Sequence, residues 1–212
     1  MTSKATLAAA PAAARAALRL GTEHFREANE KVRTAFAETD ALALEDVHAQ
    51  RYLGCAMPEG KRLEIHGTPG NDLACYMDGG SIEVFGNAQD QVGNTMNGGE
   101  VVIHGRCGDA GSFLGEYQAG GIIVLMGHAG AYLATGMHGG VIYLAHPLAQ
   151  QDVRAGLVQE PVDADDLAVL APLLDEYARL FDGERALPSI PPEAFSRLRP
   201  ESSRPYGSAY VG

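Results

Sequence analysis

The chain has 212 residues, of which 46% are hydrophobic and 20% charged, a composition typical of a soluble globular protein. Its net charge of −11, with Lys and Arg scattered along the chain, leaves no basic stripe for phosphates, so nucleic acid is not an expected partner. No apolar run reaches the roughly 18 residues that would span a bilayer, so no membrane partner is expected.

The first 49 residues predict an arm and a helix. Residues 1–21 are Ala-rich but interrupted by Pro11 and Arg15, which makes them a weak export signal and favours a flexible arm. Residues 22–49 predict a capping helix and a linker, with Thr22 as the helix cap. The predicted helix has an apolar stripe at a 3.6-residue period, formed by Phe25, Ala28, Asn29, Val32 and Phe36.

Residues 50–146 contain a repeat with a period near 19. Four glycine pairs recur at spacings of 19, 22 and 19 residues, namely Gly79-Gly80, Gly98-Gly99, Gly120-Gly121 and Gly139-Gly140. A Met stands two residues before three of the pairs, and Gln118 takes that place in the remaining one. After each pair, apolar residues alternate as they do in strands.

Such a unit exposes one apolar face and must stack on its neighbours to bury it. We therefore predict an all-β core, a short right-handed parallel β-helix of about five coils and about 24 Å in length. Glycines at its corners are expected to adopt positive φ. These structural corner glycines are Gly67, Gly80, Gly86, Gly99, Gly105, Gly121, Gly127 and Gly140. The alternative is a Gly-rich antiparallel sandwich.

Two further segments follow the repeat. Residues 147–186 predict C-terminal helices that cap the array, with Asp163 and Asp166 at a helix start and Pro172 either kinking that helix or beginning a second one. Residues 187–212 contain Pro188, Pro191, Pro192, Pro200 and Pro205. They predict an extended tail on a surface, either the chain's own or a partner's.

Few residues suggest chemistry. No H-E-x-x-H, C-x-x-C or H-x-x-x-H spacing occurs, so no metal site is predicted. The three cysteines, an odd number, fit a reducing cytoplasm, where we expect the protein to be located. Repeat alignment stacks Cys55 on Cys75, within disulfide range or as two reduced core fillers. His66 and His104 share a repeat position and are expected to be exposed.

Several strings resemble the C-terminal β-helix domain, or GXGXG domain, of glutamate synthase large subunits. They are His66-Gly67-Thr68-Pro69-Gly70-Asn71-Asp72, Gly86-Asn87-Ala88-Gln89-Asp90, Gly93-Asn94-Thr95-Met96-Asn97, Phe113-Leu114-Gly115-Glu116-Tyr117 and Gly136-Met137-His138-Gly139-Gly140. The archaeal type, in which this domain is a separate polypeptide, is the nearer likeness, and it shares the tail Arg204-Pro205-Tyr206-Gly207. The β-helical subunit of formylmethanofuran dehydrogenase is a more distant one.

The resemblance implies a module without catalytic, cofactor-binding or metal-binding residues, which holds a glutaminase subunit and a flavin-dependent synthase subunit in register. FMN and the iron–sulfur cluster are then expected on those partners. The family's glutaminase nucleophile is an N-terminal Cys, whereas this sequence begins Met1-Thr2, and its cysteines lie 20 and 32 residues apart, too far for the cluster. Arg204 and Tyr206 are expected interface residues.

The sequence departs from the family by lacking about two repeats between the Gly105 turn and Phe113. Three other functions therefore stay open: a scaffold of another oxidoreductase such as a formylmethanofuran-dehydrogenase-like complex, a self-assembling homo-oligomer, and a polysaccharide lyase. A lyase would need clustered Asp and Arg on one strand face. The outward positions Ser81, Glu83, Val102, Val124 and Tyr143 do not supply that cluster.

Overall fold

The computed structural model describes residues 16–105, 107–180 and 190–202, with the backbone alone described at 107–112 and 176–180. Its strands are β1 (Ala16–Gly21), β2 (Ala41–His48), β3 (Arg62–Thr68), β4 (Ser81–Phe85), β5 (Glu100–Ile103), β6 (Cys107–Ser112), β7 (Ala119–Leu125), β8 (Ala129–Ala131), β9 (Gly139–Leu144), β10 (Leu157–Pro161) and β11 (Ser196–Pro200). The helices are α1 (Phe25–Phe36) and α2 (Ala164–Leu180), with 3₁₀ turns at Gln150–Asp152 and Pro192–Ala194.

The main sheet contains nine strands in the order β1-β2-β3-β4-β5-β7-β9-β11-β10, and β6 pairs with β8 separately. All neighbours from β1 to β9 are parallel. Equivalent repeat positions lie directly opposite one another along the ladder Leu63, Ile82, Val101, Ile123 and Ile142. The predicted parallel β-helix of about five turns is confirmed, and the antiparallel sandwich is wrong.

Two sets of side chains fill the interior of the solenoid. The strands contribute alternate apolar residues, such as Leu63 and Ile65 of β3, which are fully buried. One corner of each coil contributes a residue to a stacked column, the Met column, and these residues are at most 3% exposed. They are Met57, Met77, Met96, Gln118 and Met137. Because each coil buries its apolar face only on its neighbours, stacking supplies most of the hydrophobic stabilisation.

The sheet begins earlier than predicted. Residues 16–21, placed by the sequence in a flexible arm, form β1, and the linker to Gln50 contains β2; the two strands pair in parallel. Their apolar residues alternate, but no glycine pair precedes them, so the repeat did not reveal them. Residues 1–15 lie outside the described part.

Helix α1 closes this end of the solenoid. It begins at Phe25, and its N-cap is His24, whose Nδ1 accepts from Arg26 N–H; Thr22 is therefore not the cap. Ala28 and Val32 face inward and share the solenoid core with the first strands. The predicted helix is thus present and packs on the first strands.

The C-terminal elements differ from the predicted helical caps. At that end, β11 pairs antiparallel with β9, and β10 with β11, so this sheet edge is extended by strands. Helix α2 continues through Pro172, so no second helix begins there. Its Leu170 packs on the outer face of the sheet with Val124 and Tyr143. Within the described part of the predicted tail, β11 is an inner strand of the sheet, and Phe195 and Leu198 are buried.

Candidate functional site

The second glycine of each pair occupies a left-handed corner. Gly80, Gly99, Gly121 and Gly140 have φ between +75° and +86°. A Cβ built on Gly99 would lie 2.6 Å from Cε of Met77 in the preceding coil and 2.7 Å from Gly80 O. This contact explains the Met before three of the four pairs, because its methyl group fills the space left by glycine in the next coil.

The third glycine of the repeat has a different role. Gly67 has φ of +131°, as expected, but Gly86, Gly105 and Gly127 do not lie in the left-handed region, so positive φ was wrong for these three. At Gly86 the constraint is close approach between coils, because a Cβ would lie 2.3 Å from Gly67 O.

Another corner of the coils carries aromatic side chains, three of them exposed, that sequence reasoning missed. We define the aromatic corner as Tyr52, Tyr76, Phe113, Tyr117 and Tyr132. Three of them are among the most exposed large apolar residues described, at 55% for Tyr76, 45% for Tyr117 and 53% for Tyr132. Phe113 stacks on Tyr132 with ring centroids 5.1 Å apart.

All five aromatic-corner residues have positive φ, in a run where left-handed residues alternate with right-handed ones at every coil. The sequence did contain a signal for this corner. In three coils an aromatic residue directly precedes the buried Leu (Leu53, Leu114 and Leu133), and in two coils it directly precedes the residue of the Met column (Met77 and Gln118). Exposed Tyr beside Arg is the composition of protein-binding hot spots, and guanidinium groups of Arg51 and Arg154 lie 5.0 and 5.2 Å from the rings of Tyr52 and Tyr132.

A buried charged cluster lies on the outer face of β3, β4 and β5. Glu64, Glu83 and His104 are 2%, 9% and 4% exposed, so the predicted exposure of His104 is wrong. His104 Nε2 lies 3.0 Å from Glu83 Oε1, and Arg62 lies 3.4 Å from a carboxylate oxygen of each Glu. Arg62 pairs with both carboxylates and His104 contacts Glu83, which is a structural arrangement.

Aromatic stacking extends this cluster. The ring of Phe85 lies between His66 and His104, with centroid distances of 4.6 and 5.2 Å. The repeat alignment of the two histidines on either side of Phe85 is thereby confirmed. Their distance across an intervening ring leaves no room for a shared metal ion.

Cys55 and Cys75 lie together, as the repeat alignment predicted. Both are free thiols, Cys55 exposed and Cys75 buried, and they occupy equivalent positions of adjacent coils. Burial raises the pKa of the Cys75 thiol well above its ordinary value, and the hydrogen bond with Cys55 raises it further. Burial shields the Cys75 thiol from reagents in solution, so it can react only with a group that lies against it.

A groove of about 570 Å³ runs along the glycine pairs, and Glu100 forms part of its wall. Burial raises the pKa of this carboxyl. No group of three or more His, Cys, Asp or Glu suited to a metal ion occurs among the described residues. Arg204 and Tyr206 lie outside them.

Within the described ranges, neither helix has the length and apolar character needed to cross a membrane. A search of curated proteins finds no match. A family model described as the GXGXG motif matches twice, over residues 27–109 and 105–187. The two matches together include most of α1, strands β2 to β10 and α2, which is more than half of the sequence. The chain therefore belongs to the GXGXG motif family.

Proposed function

We propose that this chain is a non-catalytic structural subunit of a glutamate-synthase-like complex, in which glutamine amidotransfer is coupled to flavin-dependent glutamate synthesis. The observation that carries the proposal is the double GXGXG match across the repeat array. The glutamate synthase motif strings lie within the same residues, from His66 to Gly140.

In this proposal the partners are a glutaminase subunit and a flavin-dependent synthase subunit, which carry FMN and the iron–sulfur cluster. The rigid array would hold them at a fixed separation in the cytoplasm. The aromatic corner supports such a role, because Tyr76, Tyr117 and Tyr132 offer large apolar area at a low entropic cost.

The described buried charges also support a scaffold. Glu64, Glu83, Arg62 and His104 are paired within the outer-face cluster instead of lining an open cavity. A catalytic acid or base must reach a substrate, and a compensated buried cluster does not favour that.

The test is a pull-down of the full-length tagged chain from its native host, followed by mass spectrometry. We expect recovery of a glutaminase-type and a flavin-dependent synthase subunit, and no release of glutamate from glutamine by the purified chain alone. Replacing Tyr76, Tyr117 and Tyr132 by Ser should weaken recovery. A matched double variant on exposed positions of α1, Glu30→Ala with Arg33→Ala, should leave it unchanged.

Truncation after Pro200 provides a second arm, because it removes Arg204 and Tyr206 and should also weaken recovery. Failure to recover either partner class, or glutaminase activity of the chain alone, would refute the proposal. Recovery of a formylmethanofuran-dehydrogenase-like complex, or of the chain's own copies only, would instead identify one of the alternative scaffolds.

A further inference from the structure

Cys55 and Cys75 occupy the same position of the corner in the first two coils. Ala56 N–H donates to Cys75 O, and Ala74 N–H donates to Leu53 O, both at 2.9 Å. These two bonds bracket the cysteines and hold the two backbones at the spacing of adjacent strands, about 4.8 Å. Disulfides form over Cα separations of about 4.4–6.8 Å, so the backbone already meets this requirement.

The two thiols differ in access. Cys55 is exposed, while Cys75, at the equivalent position of the next coil, is only 2% exposed. A solvent oxidant can therefore meet Cys55 but not Cys75. Such an arrangement of an accessible cysteine beside a second one is typical of redox-sensitive pairs.

Packing alone does not require this pair. In the next three coils the same position is occupied by Asn94, Glu116 and Thr135, so the column accommodates polar side chains of several sizes. Within this column, two thiols adjoin only between the first two coils.

We propose that Cys55 and Cys75 form an oxidation site for hydrogen peroxide or another small hydroperoxide, at which a reversible disulfide links the first two coils. This site would exist whichever partners the chain binds. Exposed disulfides of this kind are reducible by cellular thiols, so the linkage would be transient in a reducing compartment.

The chemistry balances in two steps. The Cys55 thiolate attacks one peroxide oxygen, an S–O bond forms, the O–O bond breaks, and the released hydroxide takes up a proton as water. The Cys75 sulfur then attacks the Cys55 sulfenic acid, the S–S bond forms, and the hydroxyl group leaves as water with the Cys75 proton. Two thiols are oxidised to one disulfide, and one peroxide is reduced to two waters.

The test uses the full-length chain with Cys107→Ser, which leaves only the proposed pair. After exposure to hydrogen peroxide, intact mass should fall by two hydrogens per chain, and peptide mapping should show Cys55 linked to Cys75. Dithiothreitol should restore the original mass. Addition of oxygen without the linkage, or linkage only between chains, would overturn the proposal.

Two further variants in the Cys107→Ser background assign the roles. With Cys75→Ser, oxidation should stop at a Cys55 sulfenic acid that dimedone traps. With Cys55→Ser, loss of the remaining thiol should slow by on the order of tenfold, because Cys75 is shielded. An unchanged rate in the Cys55→Ser variant would also overturn the proposal. The Cys107→Ser result stands alone should the buried Cys75→Ser variant fail to fold.

Discussion

At the scale of single residues, the repeat is maintained by contacts between one coil and the next. A methionine methyl group of one coil lies beneath the second glycine of the following pair, as Met57 does at Gly80 and Met96 at Gly121. Contacts within one coil explain neither the methionine nor the glycine. The methionine of one coil and the glycine of the next fit each other, so substitutions should act across coil boundaries.

Gly99→Val is expected to lower the free energy of unfolding by about 3 kcal/mol or more. A β-branched residue is strained at a φ of +86°, and its Cβ would clash with Met77 and Gly80 O. Glu100→Val, at the adjacent position, should be neutral or stabilising because it removes a partly buried carboxyl whose pKa burial has raised. Urea unfolding of both variants measures the difference, and equal losses would contradict the corner-glycine interpretation.

Gln118→Met is expected to raise the free energy of unfolding by about 1 kcal/mol. Gln118 is fully buried, and its Oε1 has no hydrogen-bond partner among the described residues. Its Nε2 donates to Gly120 O and Gly121 O, but the coils with Met at this position fold without such bonds.

The reciprocal change Met96→Gln is the matched control for Gln118→Met. It places an amide in a regular coil and should destabilise the protein. If Met96→Gln unfolds at a higher temperature than Gln118→Met, the hydrogen bonds from Gln118 Nε2 stabilise the protein more than its unpaired Oε1 destabilises it.

At the scale of elements, a polar network anchors α2 to the end of the sheet. The Asp166 side chain accepts from Asp163 N–H at 2.9 Å, and Asp163 Oδ1 accepts from Asp166 N–H at 3.1 Å, which is the predicted helix cap. Tyr143 O–H of β9 donates to Asp166 at 2.8 Å. Arg197 of β11 contacts both aspartates, so one arginine joins the helix start to the tail.

This network should make stability fall in acid. Hydrogen bonds from Arg199 and then Arg197 lower the pKa of Glu160, and the Asp166 N–H and then Arg197 lower the pKa of Asp163. Because both folded pKa values are depressed, the stabilisation is present above the unfolded values near pH 4 and is lost as pH falls through the folded values.

Arg197→Met should therefore flatten the fall of the urea midpoint below about pH 5. The unfolded state would then bind fewer extra protons relative to the folded state. Arg33→Met, on the exposed face of α1, is the control and should keep the wild-type slope. Parallel pH profiles for all three proteins would show that Arg197 does not set these pKa values.

Which elements the sequence predicts depends on whether their signals are local. β4, β5, β7 and β9 follow or begin at glycine pairs and, like β3, alternate regularly, and α2 begins at an Asp-x-x-Asp cap, so all were predictable. β1 and β2 lack glycine pairs, and β2 contains an irregularity between Leu44 and Val47, so neither was found. The aromatic corner and the burial of His104 depend on non-glycine positive φ and on cross-coil neighbours, which sequence spacing does not reveal.

At the scale of the whole molecule, the β-helix behaves as a one-dimensional array in which each coil contacts only its neighbours. Strands β3, β4 and β5 are offset by 19 residues, so Ser81 lies opposite both Arg62 and Glu100. Removing one complete period should therefore bring equivalent residues together and shorten the rod without changing its design.

We expect a chain lacking residues 80–98 to fold with one coil fewer. Gly79 would then join Gly99 as a new glycine pair. Glu64 would take the place of Glu83 beside His104, because Glu64 and Glu83 are register partners. Its stability should be lower, since one interface between coils is lost.

Deleting residues 80–89 is the control, because about half a period puts strand residues opposite corner residues and should prevent folding. Circular dichroism, cooperative thermal unfolding and amide hydrogen exchange measure the outcome. Equal disruption by both deletions would mean that coils are not interchangeable. Success of the full-period deletion would show that coil number is free to vary in this fold. The loss of about two repeats after the Gly105 turn, which the family resemblance implies, would then alter the reach of the scaffold and not its folding.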